Sequence, residues 1–275
     1  MTETLKAGFM DIELLRKHFG EIGGRVKVRD VKPDRWRRLQ NLSGIDIRED
    51  ERGEFFDIRV DVSEPANYRV IDLNTEQRHL LLLSEPKKWK FLCGFDERHW
   101  FVCGVPGEGV SNVRKAMEAL QPPEVREAVE RHVKRAKNRL RRHNEAFVRQ
   151  GEWFFVPAPD LKVSGFVIQR NEPLSRGAGS KPHMCQELYR TAGETVMVCN
   201  RYPSGITQDE LWRMVDENPK VRSWGWRRMT RNAVVYVRGR VWHKDHKTVV
   251  LDGWHRVLMN TEGSAPGRES IVFLD

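Results

Sequence analysis

The stretch from Lys220 to Trp254, KVRSWGWRRMTRNAVVYVRGRVWHKDHKTVVLDGW, decides how the chain folds. From Val234 to His243 a period of two places Val235, Val237, Val241 and His243 on one face, and Val234, Tyr236, Arg238, Arg240 and Trp242 on the other. One face is made for burial and the other for solvent or a ligand, the pattern of a strand in a half-covered antiparallel sheet. With Lys244 and Asp245 as a two-residue loop, the chain returns as a second strand. His243 then faces His246, both side chains on the same side. Lys-Asp lacks the Asn-Gly or Asp-Gly signature of a type I′ turn, so this register rests on the alternation and not on the loop.

Working outward, strand-like runs recur at Val26 to Val31, Glu54 to Val60, Tyr68 to Leu73, Arg78 to Leu83, Trp89 to Cys93 and His99 to Cys103, with CGFDERHW as a tight hairpin between the last two. Ile12, Leu15 and Phe19 at helical spacing, closed by Gly20, Gly23 and Gly24, predict a short opening helix. A helix capped at Ser111 is expected before Pro122 and Pro123. From Glu124 towards Gln150 the positions Val125, Val129, Val133, Ala136, Leu140 and Phe147 keep spacings of three, four and seven, which predicts one long helix. Arg131 to Arg142 holds seven basic residues and no acid, so that helix carries a positive face. Beyond it come GEWFFVPAPD, Lys162 to Gln169, Met184 to Tyr189 and Thr195 to Cys199 as strands. One helix interrupts them, marked by a Thr207/Glu210 capping box and an Ile206/Leu211 staple. Strands without β-α-β alternation argue for an α+β protein, two mainly antiparallel β-sheet lobes joined by a long basic helix. The expected divisions are an N-terminal α+β lobe over 1–121, a basic linking helix over 122–150 and a β-rich α+β lobe over 151–275.

A chain of 275 residues with 39% hydrophobic content can build a sizeable core, yet no apolar run approaches the roughly eighteen residues of a membrane helix. The N-terminus shows no export signal, so a cytoplasmic location and no membrane partner are expected. Cys93, Cys103, Cys185 and Cys199 match neither a C-x-x-C redox motif nor a zinc ribbon, and read as buried thiols. The net charge of +9 is unevenly spread: residues 1–121 balance 21 basic against 21 acidic side chains, whereas 122–150 hold nine against four and 151–275 hold 18 against 14. A basic face in the later part of the chain suits a polyanion.

The composition therefore favours a nucleic-acid-binding protein, RNA or single-stranded nucleic acid over duplex, because exposed aromatics interleaved with arginine can stack on bases and pair with phosphate. Arg227, Arg228, Arg238, Arg240 and Trp242 are the expected contacts, with Arg135, Arg139 and Arg142 adding phosphate contacts. The plainer alternative is a solvated face whose aromatic rings pack on arginine stems. A second reading is a phosphoesterase or nuclease, with His243, His246 and His255 as acid-base groups or with a divalent metal such as zinc on His243, His246 and His183. For the third ligand His255, Cys185 and Asp245 compete with His183, since sequence separation cannot choose among them. Polar hairpin residues are the simple explanation of the same histidines. SRGAGSK, with Arg176 and Lys181, is a candidate phosphate loop without Walker A spacing, or only a surface loop. A third reading, a subunit that binds an acidic protein, accounts for the charge as well.

Overall fold

The computed structural model describes residues 10–31, 44–62, 66–175 and 181–264. The described chain is mixed α+β with mostly antiparallel sheets and divides into two compact units, residues 10–121 with 261–264 and residues 122–260.

In the first unit, Asp11 caps α1 (Ile12–Glu21) by accepting from Leu14 N–H at 2.9 Å, and the helix buries Leu15 and Phe19. β1 (Val26–Val31) pairs parallel with β3 (Gly53–Asp61), which pairs antiparallel with β2 (Gly44–Asp50). β4 (Asn67–Asn74), β5 (His79–Glu85), β6 (Trp89–Asp96) and β7 (His99–Val105) form a four-stranded meander. Its leucine run serves two cores by strand alternation. Leu80 and Leu82 join Phe19, Phe56 and Ile58, while Leu81 on the opposite face packs with Val113 and Ala116 of α2 (Val113–Ala119). The cap of α2 is Asn112, one residue beyond the expected Ser111.

The second unit opens with α3 (Pro123–His132), and here the long basic helix expected over 124–150 does not form. After His132 the backbone turns extended at Val133, makes one 3-10 turn at Ala136–Asn138, and returns through a bridge between His143 and Val148. Two physical reasons stand out. A continued helix would stack Arg131 on Arg135 on Arg139, and Lys137 on Arg141, like charges at i,i+4. Asn144 instead fixes a loop: its Oδ1 accepts from the Ala146 and Phe147 amides, and its Nδ2 donates to the carbonyls of Asn138, Arg139 and Arg141. The apolar positions Val125, Val129, Val133 and Phe147 still share one core, joined there by a fold-back in place of a helix face.

β8 (Val148–Gln150), β9 (Trp153–Pro157), β10 (Gln169–Leu174), β11 (His183–Thr191), β15 (Val234–His243) and β16 (His246–Met259) build a six-stranded antiparallel sheet in the order β10-β11-β15-β16-β9-β8. Of the strand expected over 162–169 only Gln169 is in a strand, as the first residue of β10; a 3-10 turn stands at Gly165–Val167. β12 (Glu194–Cys199), β13 (Tyr202–Ile206) and β14 (Arg227–Arg231) form a second, three-stranded sheet in the order β13-β12-β14. The capping box at Thr207 and Glu210 starts α4 (Gln208–Glu217), which packs Leu211 and Val215 with Val221. On β15 the predicted inner face is realised: Val235, Val237 and Val241 are fully buried with Trp153, Phe155, Cys185 and Leu188. No helix among the described residues is long and apolar enough to cross a membrane.

Candidate functional site

Three neighbouring strands of the large sheet bring three histidines together at one end. β15 and β16 meet through the two-residue turn Lys244–Asp245, and His243 pairs with His246. On the other side, Met184 of β11 pairs with Trp242, which sets His183 one step further along, facing His243. The imidazoles share a face and converge. His183 and His243 stack with ring centroids 4.3 Å apart, and His243 and His246 lie 5.0 Å apart. His183 and His246, on strands that are not adjacent, are only 5.4 Å apart, where a flat sheet would hold them roughly 9 to 10 Å apart. One ligand atom from each of the three falls within 4.8 Å of the others. A tetrahedral ion with Zn–N bonds near 2.0–2.1 Å needs nitrogens about 3.3 Å apart, so the rings would close by roughly 1.5 Å at their widest.

The turn owes its geometry to one of these rings. Neither Lys244 nor Asp245 has positive φ, so the loop is not the I′ turn that favours Asn-Gly. The Asp245 amide donates instead to His243 Nδ1 at 3.2 Å, and the Asp245 carboxylate pairs with Lys181 Nζ at 3.0 Å. The lone pair that accepts from Asp245 is the one an ion would take, unless the ring proton moves from Nε2 to Nδ1.

His183 is the distinctive member. It is 2% exposed, and neither ring nitrogen has a hydrogen-bond partner. Burial first, then the neighbouring His243 and His246, holds its pKa down at about 3, so it is neutral at physiological pH, the form that ligates metals. Trp153 meets its ring edge-on at 6.3 Å. Two further buried polar atoms of the β8–β9 hairpin lack partners, Trp153 Nε1 and Gln150 Oε1. Gln150 Nε2 donates to the Val241 and Lys247 carbonyls at 3.3 and 2.6 Å, tying that hairpin to the strands that carry His243 and His246. Gly151, at φ +57°, closes over the site: a Cβ there would lie 2.9 Å from His246 Nε2. Each unpartnered buried polar atom costs roughly 1–3 kcal/mol, which a purely structural cluster would have no reason to keep.

The other expected ligands and acid-base groups lie elsewhere. His255 is nine positions along β16 from His246, buried, with Nδ1 beside the Gly253 carbonyl at 3.1 Å. Cys185, next to His183 on the same face, belongs to the apolar core, where burial pushes its thiol up to about 12. Arg176 of the phosphate-loop candidate lies outside the described residues, and Lys181 is engaged with Asp245.

The expected nucleic-acid contacts are distributed over three elements. Arg227 and Arg228 are exposed on β14, Arg240 is exposed and Trp242 half-buried on β15. Arg238 is not the open guanidinium that strand alternation suggests. It pairs with Glu187 across the β11–β15 ladder and covers the Trp254 ring at 4.8 Å. Arg135 is exposed, and Arg139 and Arg142 are half-buried, all in the loop after α3 and not on a helix face. Burial, with Arg149 nearby, lowers the Arg142 pKa to about 10.

Sequence reasoning passed over Gln150, Gly151 and Trp153, whose contacts to Val241 and Lys247, to His246 and to His183 respectively span tens of residues. It also passed over Arg201 and Tyr202, which join Trp224 and Trp226 in one group of rings. The tetrapeptide NRYP after a strand offers only a turn signal. Comparison with known proteins yields no relative: no family model matches the chain, and neither a curated protein nor a solved structure is similar to it.

Proposed function

We propose that the protein is a divalent-metal-dependent hydrolase of phosphate esters, with His183, His243 and His246 holding the ion. The observation that supports this most is His183, buried, neutral and without a partner on either nitrogen, at the point where two other imidazoles meet it. Three neutral ligands leave the charge of a bound dication uncompensated. That charge would favour an anionic substrate. Lys244 and Lys247 flank the two hairpin histidines and add to the positive field. An ion held by His183, His243 and His246 would supply an acidified water as the nucleophile and positive charge for the phosphoryl oxygens; in the net hydrolysis the oxygen of water joins phosphorus and the leaving oxygen departs with a proton. Four cysteines without a disulfide fit a protein that works in a reducing cytoplasm.

The test is hydrolysis of bis(p-nitrophenyl) phosphate and p-nitrophenyl phosphate by chelator-treated protein resupplied with zinc, manganese or magnesium. Turnover restored by metal and lost in His183→Ala and His246→Ala is the expected result. Stoichiometric metal binding without turnover on either ester, or turnover indifferent to both substitutions, would sink the hydrolase reading.

A further inference from the structure

Away from the histidines, a second group of side chains in the same unit has the chemistry of a ligand site. Tyr202, Trp224 and Trp226 lie with ring centroids 5.7–6.3 Å apart and planes within 28° of one another. Tyr189 and Tyr236 are stacked in the same way at 6.2 Å and 22°, but only as a pair, and the phenylalanine-rich contacts differ. Phe19, Phe56, Phe95 and Trp100 meet at 49–68°, and Phe147 meets Phe154 at 70°, the tilted and edge-on arrangements that packed aromatics prefer. All three rings are half-buried and share one orientation. The orientation is held from below: Trp226 Nε1 donates to the Val221 carbonyl at 2.9 Å, and Trp224 and Trp226 pack on the small core of Leu211, Val215 and Val221.

Cations border these rings. The exposed Arg201 lays its guanidinium over Trp224 at 4.2 Å, and Arg222 approaches the ring of Trp212, which is itself 47% exposed, at 5.8 Å. Arg227 and Arg228 follow Trp226 directly, both exposed at the start of the edge strand β14. Of the acids of this region, Asp209, Glu210, Asp216 and Glu217 sit on α4, with Glu210 committed to the Thr207 cap, and Glu194 of β12 is paired with Arg231 of β14 at 2.6 Å. Arginine therefore dominates the β-sheet side and the ring-bearing turn.

From this arrangement we infer that Tyr202, Trp224 and Trp226, with Arg201, Arg227 and Arg228, bind single-stranded nucleic acid. Unpaired bases stack on the parallel rings and on the guanidinium plane of Arg201, while Arg227 and Arg228 pair with the phosphates. Each stacked base contributes about 1–3 kcal/mol without regard to sequence. A guanidinium plane is itself a stacking surface for bases. Duplex DNA hides its base faces and cannot use the rings, so single strands are preferred over duplex of equal charge. An acidic protein would have use for the arginines but none for the common ring orientation. The inference makes no use of the three histidines and stands or falls apart from the metal centre.

The experiment measures binding of fluorescently labelled U15, dT15 and a 15-base-pair duplex by anisotropy at several salt concentrations, to the full chain and its variants. Expected are quenching of tryptophan emission by U15 or dT15, tighter binding of at least one single strand than of duplex, and about tenfold or greater weakening in Arg227→Ala/Arg228→Ala. The salt slope of that double variant for single strands should fall by about 1.4. Tyr202→Leu should weaken single-strand binding and leave duplex binding unchanged. Both arginines are exposed, so their variants stay folded, which circular dichroism verifies. Equal affinity for duplex and single strands, no measurable affinity for either, or wild-type binding by the double variant would each overturn the inference. Preference for polyglutamate over U15 and dT15 would overturn it in favour of an acidic protein partner.

Discussion

Two buried histidines, His79 in the first unit and His183 in the second, are treated in opposite ways. In the first, the buried carboxylate of Asp57 receives Arg29 at 2.7 and 2.8 Å and Arg48 at 3.0 Å, and the buried His79 sets Nδ1 against the Gln77 carbonyl and its ring edge-on to Phe101. In the second, His183 is buried more deeply than His79 yet bonds to nothing. It is surrounded by two more imidazoles and by the unpartnered Trp153 Nε1 and Gln150 Oε1 of the neighbouring hairpin. His79 is what a structural histidine looks like in this fold. By that standard His183 is arranged for something that arrives from outside, and the contrast is open to direct attack.

Replacing His183 by Ala should have the largest effect, lowering metal affinity by at least about 100-fold in calorimetric titration, since even second-shell changes cost 10–100-fold. His79→Ala should leave metal affinity unchanged and destabilise the first unit by about 2 kcal/mol in urea unfolding. Equal effects of the two substitutions on metal binding would erase the distinction.

Titration of the metal-free protein sharpens it. The folded-state pKa of His183 is depressed to about 3, while the unfolded imidazole protonates near 6.5. Below about pH 6.5 the unfolded state binds the proton and the folded state does not. Stability therefore falls as pH drops from 6.5 towards 3, by up to about 1.4 kcal/mol per unit. His255, also lowered chiefly by burial, acts in the same direction. His183→Leu should flatten this dependence, as read from urea midpoints between pH 4 and 7.

A smaller change is expected from Gly151→Ala, which places a methyl 2.9 Å from His246 Nε2 at a left-handed φ. It should cost about 1–2 kcal/mol and weaken metal binding roughly tenfold. Smallest is Trp153→Phe, which removes an unpartnered donor while keeping the ring that meets His183. It should alter stability by no more than about 1.5 kcal/mol, measured by thermal denaturation.

The hairpin that carries the site was legible because it depends on local rules. Alternation from Val234 to His243 fixed the buried face, and a two-residue loop made His243 and His246 neighbours. His183 stood among four candidates for the third position, and only the pairing of β11 with β15, some sixty residues apart in sequence, selects it. The same ladder puts Glu187 beside Arg238 and so pairs a guanidinium that alternation alone would leave open. The helix over 124–150 misled for a related reason. Of the six positions at three-, four- and seven-residue spacing, Val125, Val129, Val133 and Phe147 share a core while Ala136 and Leu140 stay outside it, and a fold-back organised by Asn144 brings those four together as well as a helix does. Period identifies some of the residues that meet. The like charges and the asparagine decide the backbone that brings them there.

The most direct test of the account is isothermal titration of chelator-treated protein with zinc, run beside His183→Ala, His243→Ala and His246→Ala. One zinc per chain, with the site lost or weakened by at least about 100-fold in each variant, is the expected result. No saturable binding by the wild type, or a one-to-one isotherm that survives His183→Ala unchanged, would contradict it.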